Sequence, residues 1–196
     1  MITVDRNQPR NYGDGEKRYY GVTTICHAMG GVDPYGDEVA MQRGQDLHVI
    51  FALSVWAYAG RCKPPSVPSM YQSYYQSMQT WIQTAKPEPV QVERPSVSAI
   101  PGMPFAGTPD LLAWILYRGH RVLALVDLKS GQKARWHAIQ VHAYSKLMLY
   151  RDAKALGVLY IHEDGRPGTY EPVKPKPRDW AGFQSALNLL IWREAA

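Results

Sequence analysis

The chain has 196 residues, 45% of them apolar and 20% charged, with a formal charge of +5 and a pI near 9.2. That is the size of one ordinary domain and the composition of a soluble globular protein, and no window approaches the roughly 20 apolar residues of a membrane span. Cys26 and Cys62, the only cysteines, cannot close a four-cysteine zinc or iron–sulfur site. The opening MITVDRNQPR lacks the apolar core of a secretion signal, so a cytoplasmic protein with no membrane partner is expected, leaning by charge toward a polyanion.

Residues 1–37, rich in Gly, Asp and Tyr, read as a lead-in whose one apolar run, GVTTICHAM, is a strand or a helical turn. From Glu38 to Tyr58 there is no proline, and most sides are apolar after Leu47; this predicts a helix in the middle of the fold, ended by GRCKPPSVP. Residues 69–85 carry Tyr71, Tyr74, Tyr75, Met78 and Trp81 or Ile82 at helical spacing, which predicts a second helix. After KPEP come three extended segments, PVQVERPSVSAI, FAGTPDLLAWILY and RVLALVDLK, the last two joined by a tight hairpin at Arg118, Gly119 and His120.

A third helix is predicted over 133–152, with Ile139, Ala143, Leu147 and Tyr150 on one face. ALGVLYIHEDG and GTYEPVK read as a strand pair, and 178–195 as a closing amphipathic helix. The order predicts an α/β fold with a mixed sheet between helices. We read 1–196 as one domain: a lead-in to 37, a helical part over 38–85, the sheet and its helix over 89–175, and the closing helix.

VDLKSG, residues 126–131, holds two opposite charges in an apolar strand. Asp127 and Lys129 project from one face, because successive side chains alternate. Asp110 lies nine residues before Gly119 and Asp127 eight after it, so a hairpin sets the two acids opposite or diagonal to each other. Adjacent carboxylates repel unless a cation lies between them, and magnesium or manganese uses such oxygen-rich sites. Lys129 has a place there, to steady charge on a phosphate or to hold and activate water. Taken alone, Asp127 and Lys129 read equally well as a solvated pair on the outer face of an edge strand.

Pro109-Asp110 followed by Asp127-Leu128-Lys129 resembles the P-D…D-x-K signature of the restriction-endonuclease-like, or PD-(D/E)XK, nuclease superfamily. RGQDLHVIF with His48, GTPD, VDLKSG, QVHAY with Gln140 and Tyr144, and VTTI near the start resemble its RecB-type branch, which includes phage exonucleases; the likeness runs from about Gly21 to Tyr150.

The resemblance implies a restriction-endonuclease-like core and a metal-dependent DNA nuclease, most often an exonuclease of phage or prophage type, acting on single- or double-stranded ends in recombination, repair or processing. It implies that His48, Asp110, Asp127 and the backbone carbonyl of Leu128 hold one or two Mg2+ or Mn2+ ions, with Lys129, Gln140 and Tyr144 acting beside them. Glu93 is a lesser candidate, as a support or a DNA contact. Members that carry an iron–sulfur cluster use more cysteines than this chain has, so none is expected.

Lys133, Arg135, Lys146, Arg151 and Lys154 are candidate phosphate contacts, and His137 and His142 are candidate DNA contacts only. The tyrosine-rich helix offers stacking faces or, the favoured reading, core packing. No phosphate loop appears and the length leaves no room for a motor, so unwinding would need a helicase or recombination partner; a homo-oligomer would keep such a fold on DNA. The rivals are a catalytically silent DNA-binding or scaffold subunit, a structure-specific endonuclease, and a metal-free protein whose Asp–Lys pair is structural.

Overall fold

The computed structural model describes residues 2–4, 12–30 and 38–195. In chain order the elements are β1 (Thr3–Val4), β2 (Tyr12–Gly13), β3 (Arg18–Gly21), α1 (Val22–Ala28), α2 (Glu38–Tyr58), α3 (Gln72–Ala85, led by a 3-10 turn at Ser69–Tyr71) and β4 (Glu88–Val92). Then follow β5 (Ser96–Val97), β6 (Phe105–Gly107), β7 (Leu111–Tyr117), β8 (His120–Lys129), α4 (Arg135–Tyr144), β9 (Ala155–Tyr160), β10 (Thr169–Pro172) and α5 (Pro177–Ala195).

The main sheet runs β10-β9-β8-β7-β4, with β8 antiparallel to β7 and parallel to β9. It is therefore mixed, and β8 lies at its centre. Both faces of β8 are covered. Ala124, Val126 and Leu128 pack with Leu47, Phe51, Met78 and Ile82 of α2 and α3, while Leu125 packs with Ile25, Ile139, Val141 and Phe183 of α1, α4 and α5. A strand buried on both sides reads as an unbroken apolar run, which is why charges stand out in it. This is the mixed sheet between helices that the sequence predicts, and it agrees with the restriction-endonuclease-like core that the resemblance implies.

The sequence reading needs correction at five places. The N-terminal residues are more than a lead-in: β1, β2 and β3 join β6 and β5 in a second sheet of order β1-β2-β3-β6-β5, and α1 packs into the core. FAGTPDLLAWILY is two strands in two sheets rather than one, broken where Thr108 and Pro109 interrupt the ladder. PVQVERPSVSAI likewise divides into β4 and β5, with Glu93 at the break in a left-handed conformation (φ 48°).

The helix expected to reach 152 stops at Tyr144, and Leu147 and Tyr150 reach the core from turns that follow it. Nor is α2 buried around its circumference, for Val49 is 59% exposed while Leu47, Ile50, Phe51 and Val55 are buried. Among the described residues no helix is long and apolar enough to cross a membrane.

Candidate active site

The hairpin fixes the first two acids. Tyr117 pairs with His120 across Arg118 and Gly119, both at positive φ, a two-residue turn that suits strand twist. The register then runs without slip to Leu111 opposite Val126, so the next pair along is Asp110 and Asp127. On the other side Val92 pairs with Leu111, and the Glu93 N–H donates to the Asp110 carbonyl at 3.0 Å. Glu93, Asp110 and Asp127 thus stand in a row on three neighbouring chain segments. Asp110 and Asp127 are buried at its floor.

α2 brings His48 against Asp110 and Glu93. Its Nδ1 lies 2.7 Å from Asp110 Oδ1 and 3.6 Å from Glu93 Oε1. Burial works against charge on this ring, but Asp110, as a neighbouring charge and a hydrogen-bond partner, outweighs it and holds His48 up to about 10. Asp110 is desolvated too, yet the His48 charge keeps its carboxyl below the ordinary range. Its other oxygen, Oδ2, accepts the Leu128 N–H at 2.5 Å. In a strand the N–H and C=O of one residue point to the same side, so the Leu128 carbonyl also faces Asp110.

Lys129 Nζ in turn sits 2.7 Å from Asp127 Oδ2. The contact is close but lacks hydrogen-bond alignment, which leaves that oxygen without a regular donor. Burial pushes Asp127 up to about 6, with Lys129 pulling it down and Asp110 adding to the rise. Lys129 is desolvated as well, but Asp127 and Asp110 together raise its pKa. The reading of Asp127 and Lys129 as a solvated edge pair fails, since β8 is central and both groups are largely withdrawn from water.

α4 lines the same side of the sheet. Gln140 Nε2 donates to the Tyr144 hydroxyl and to Thr23 Oγ1, each at 3.0 Å, and Gln140 Oε1 is buried without a partner. Gly107 makes room for this arrangement, because a Cβ there would lie 2.4 Å from the Tyr144 ring. Thr23 was legible only as part of VTTI. Its tie to Gln140 spans 117 residues and leaves no local pattern.

His48, Glu93 and Asp110 offer one atom each within 4.8 Å of one another, a cluster able to take a metal ion. The donor set suits a divalent cation. It mixes imidazole with carboxylates, and Glu93 Oε1 is buried without a hydrogen bond. Glu93 itself is pushed up to about 7 by burial, with His48 opposing and the Asp110 charge adding, as expected of acids crowded without a cation. In the sequence Glu93 reads only as a support or a DNA contact, whereas the backbone pairing to Asp110 brings it into the metal-binding cluster.

The basic candidates lie farther out. Lys133 is ion-paired with Glu171, Arg135 Nη2 donates to Asp179 Oδ1 at 2.6 Å, and Lys146 Nζ sits 5.9 Å from the centroid of the Trp180 ring. Arg151 and Lys154 are exposed. His137 and His142 are buried rather than surface contacts; His137 bonds the Tyr160 hydroxyl at 3.1 Å, and burial pulls it down to about 3. Tyr71 and Tyr74 are buried, in keeping with core packing, and the Tyr71 hydroxyl donates to Asp46 at 2.8 Å.

No protein-family model matches the chain, and no curated protein matches it in sequence. Among solved structures it is similar to an alkaline exonuclease, LHK-Exo, from Laribacter hongkongensis, at a TM-score of 0.48 and 9% identity over 89% of this chain and 87% of that one. It is also similar to a protein named SSO0001, at a TM-score of 0.42 and 14% identity over 91% of this chain and 78% of that one. At such identities the site must be judged on its own geometry.

Proposed function

We propose that this protein is a divalent-metal-dependent DNA nuclease that hydrolyses phosphodiester bonds, of exonuclease type. One observation carries the reading: Glu93, Asp110 and Asp127 stand in a row, with His48 against Asp110 and Glu93 and Lys129 against Asp127, all on or against the central sheet. His48, Glu93, Asp110 and Asp127, with the Leu128 carbonyl, would hold one or two ions, Mg2+ or Mn2+. When bound there, the metal supplies Lewis acidity to a phosphoryl oxygen and lowers the pKa of a water.

The chain's own groups do the rest. Lys129, whose acid neighbours favour its ammonium form in the metal-free site, acts as a fixed cation and hydrogen-bond donor to the phosphate or the attacking water. Burial holds the Tyr144 hydroxyl protonated. It stays fixed against Gln140, whose free Oε1 can accept a hydrogen bond from water or the sugar-phosphate chain. By resemblance the products carry a 5′-phosphate and a 3′-hydroxyl, and the setting is recombination, repair or processing of DNA.

The test uses end-labelled single- and double-stranded DNA, linear and circular, with Mg2+, Mn2+ or EDTA, and the wild type beside Asp127→Ala and Lys129→Ala. Cutting that needs metal and vanishes in both variants is expected, and sparing of circles makes the enzyme an exonuclease. A wild type that binds DNA and cuts none in any metal would instead be a silent subunit.

A further inference from the structure

Near Lys129 a cavity of about 430 Å³ opens between α1, α4 and α5. That volume lies within the range of small-ligand sites. Its walls are mostly apolar, Met29, Ile139 and Trp136 among them, and Arg135 and Arg178 line it as well. None of this is used by the chemistry above.

Three features define what the cavity can hold. Trp136 is set as a platform: it packs edge-on against His27 at 5.4 Å and against His137 at 4.3 Å between ring centroids, so its orientation is fixed before anything binds. Lys129 Nζ lies over one face of the Trp136 ring, 5.6 Å from the centroid, so an occupant of the cavity is a neighbour of the group assigned to the scissile phosphate. The charge is positive and partly unspent. Arg135 is tied to Asp179, whereas Arg178 is exposed and has no partner among the described residues. A mostly apolar cavity with an indole in its wall and a guanidinium without a partner, beside a phosphate site, suits a nucleotide: a ring system that stacks and an anion that pairs.

We propose that this cavity is a subsite for one unstacked nucleotide of single-stranded DNA, its base laid against Trp136 and its phosphate at Arg178. The inference rests on the reading of the neighbouring site as a DNA nuclease and adds to it a demand for base, not merely backbone, next to the cut. A paired base is held in its stack and cannot enter, so the subsite favours single strands or frayed ends.

Gly182 supplies a clean way to close the cavity. It lines the wall from α5, and a Cβ placed there meets only the terminal methyl of Met29, at 2.8 Å, the free end of a flexible side chain. Gly182→Leu therefore fills the space while replacing a helical glycine by a better helix former.

The experiment measures binding of a 12-nucleotide oligothymidylate and of an all-abasic strand of equal length, in EDTA so that neither is cut. Wild type, Trp136→Ala and Gly182→Leu are compared, with thermal melting of each. Wild type is expected to prefer the base-bearing strand about tenfold, the low end of base–aromatic stacking. Gly182→Leu should melt no lower than wild type yet lose that preference, and Trp136→Ala should lose it too, with abasic binding equal in all three. An equal preference in Gly182→Leu, or none in wild type, overturns the subsite.

Because the readout is binding, the two proposals part cleanly. A wild type that cuts nothing but shows the preference loses the nuclease and keeps the subsite. Metal-dependent cutting without any preference does the reverse, and failure to bind either strand sinks the subsite as well.

Discussion

Strand β8 carries an ion pair near each end, and the two have opposite physics. Near the turn, Arg121 pairs with Glu88 on β4, with side chains 39% and 70% exposed. At the far end Lys129 pairs with Asp127, with side chains 15% and 2% exposed. Water solvates the first pair whether or not it forms, so it adds little. The second has lost that solvation, and attraction between its members repays the loss only in part. A chain selected for stability alone would fill this place with leucine. Keeping an acid and a lysine on the best-covered strand, with Asp110 set beside them, makes sense where that rigidity positions charges for a reaction.

Breaking the buried pair is expected to have the largest effect. Lys129→Ala leaves Asp127 beside Asp110 with no cation, which should cost about 3–5 kcal/mol in EDTA and remove cutting below detection. Urea denaturation and the labelled-DNA assay read the two effects; a variant as stable and active as wild type would place Lys129 among the inert surface pairs.

Metal should come next. An ion at about 100 times its dissociation constant adds about 2.7 kcal/mol, roughly 5–11 °C in melting temperature for a chain of this size. Manganese should produce that rise in wild type and much less of it in His48→Ala or Glu93→Gln. The pH dependence sharpens the test, because His48 must lose its proton to serve as a ligand. Held up to about 10 against an ordinary 6.5, His48 gives the metal-free protein stability that is complete below about 6.5 and lost as pH rises through 10. Asp127, raised from 3.8 to about 6, likewise costs the metal-free protein stability as pH climbs through that window. Melting without metal should therefore fall from pH 7 to pH 9 while manganese affinity grows; a flat response would separate His48 from the ion.

Smaller effects test the supports. Tyr144→Phe removes the acceptor for Gln140 Nε2 and should cost about 1 kcal/mol, with a larger proportional loss in cutting rate than in stability. Glu88→Gln, at the exposed end, should move stability by less than about 0.5 kcal/mol and leave cutting unchanged. A larger change there would mean that the two ends of β8 are not as different as their exposure indicates.

Much of the geometry was legible before folding because it rests on local rules. A two-residue turn sets the register of the strands it joins, so counting outward from Gly119 places Asp110 against Asp127. A spacing of four likewise puts Gln140 and Tyr144 on one helical face. The limits of these rules are equally physical. Nothing near residues 145–152 announces that the helix ends at Tyr144, because the turns that follow keep Leu147 and Tyr150 at core positions a helix would also have filled.

By itself the sequence determined the α/β pattern, the charged strand and the hairpin that opposes its acids, since periodicity and turn chemistry act over a few residues. Only the tertiary structure decided which charges are spent and which are exposed. Lys133 meets Glu171 and Arg135 meets Asp179 across 38 and 44 residues, and Glu93 enters the acid row through a backbone bond to Asp110. Such pairings depend on how sheets and helices stack, and no local spacing encodes them. The cavity beside Trp136 belongs to the same class, because it is formed by three helices that the sequence keeps far apart.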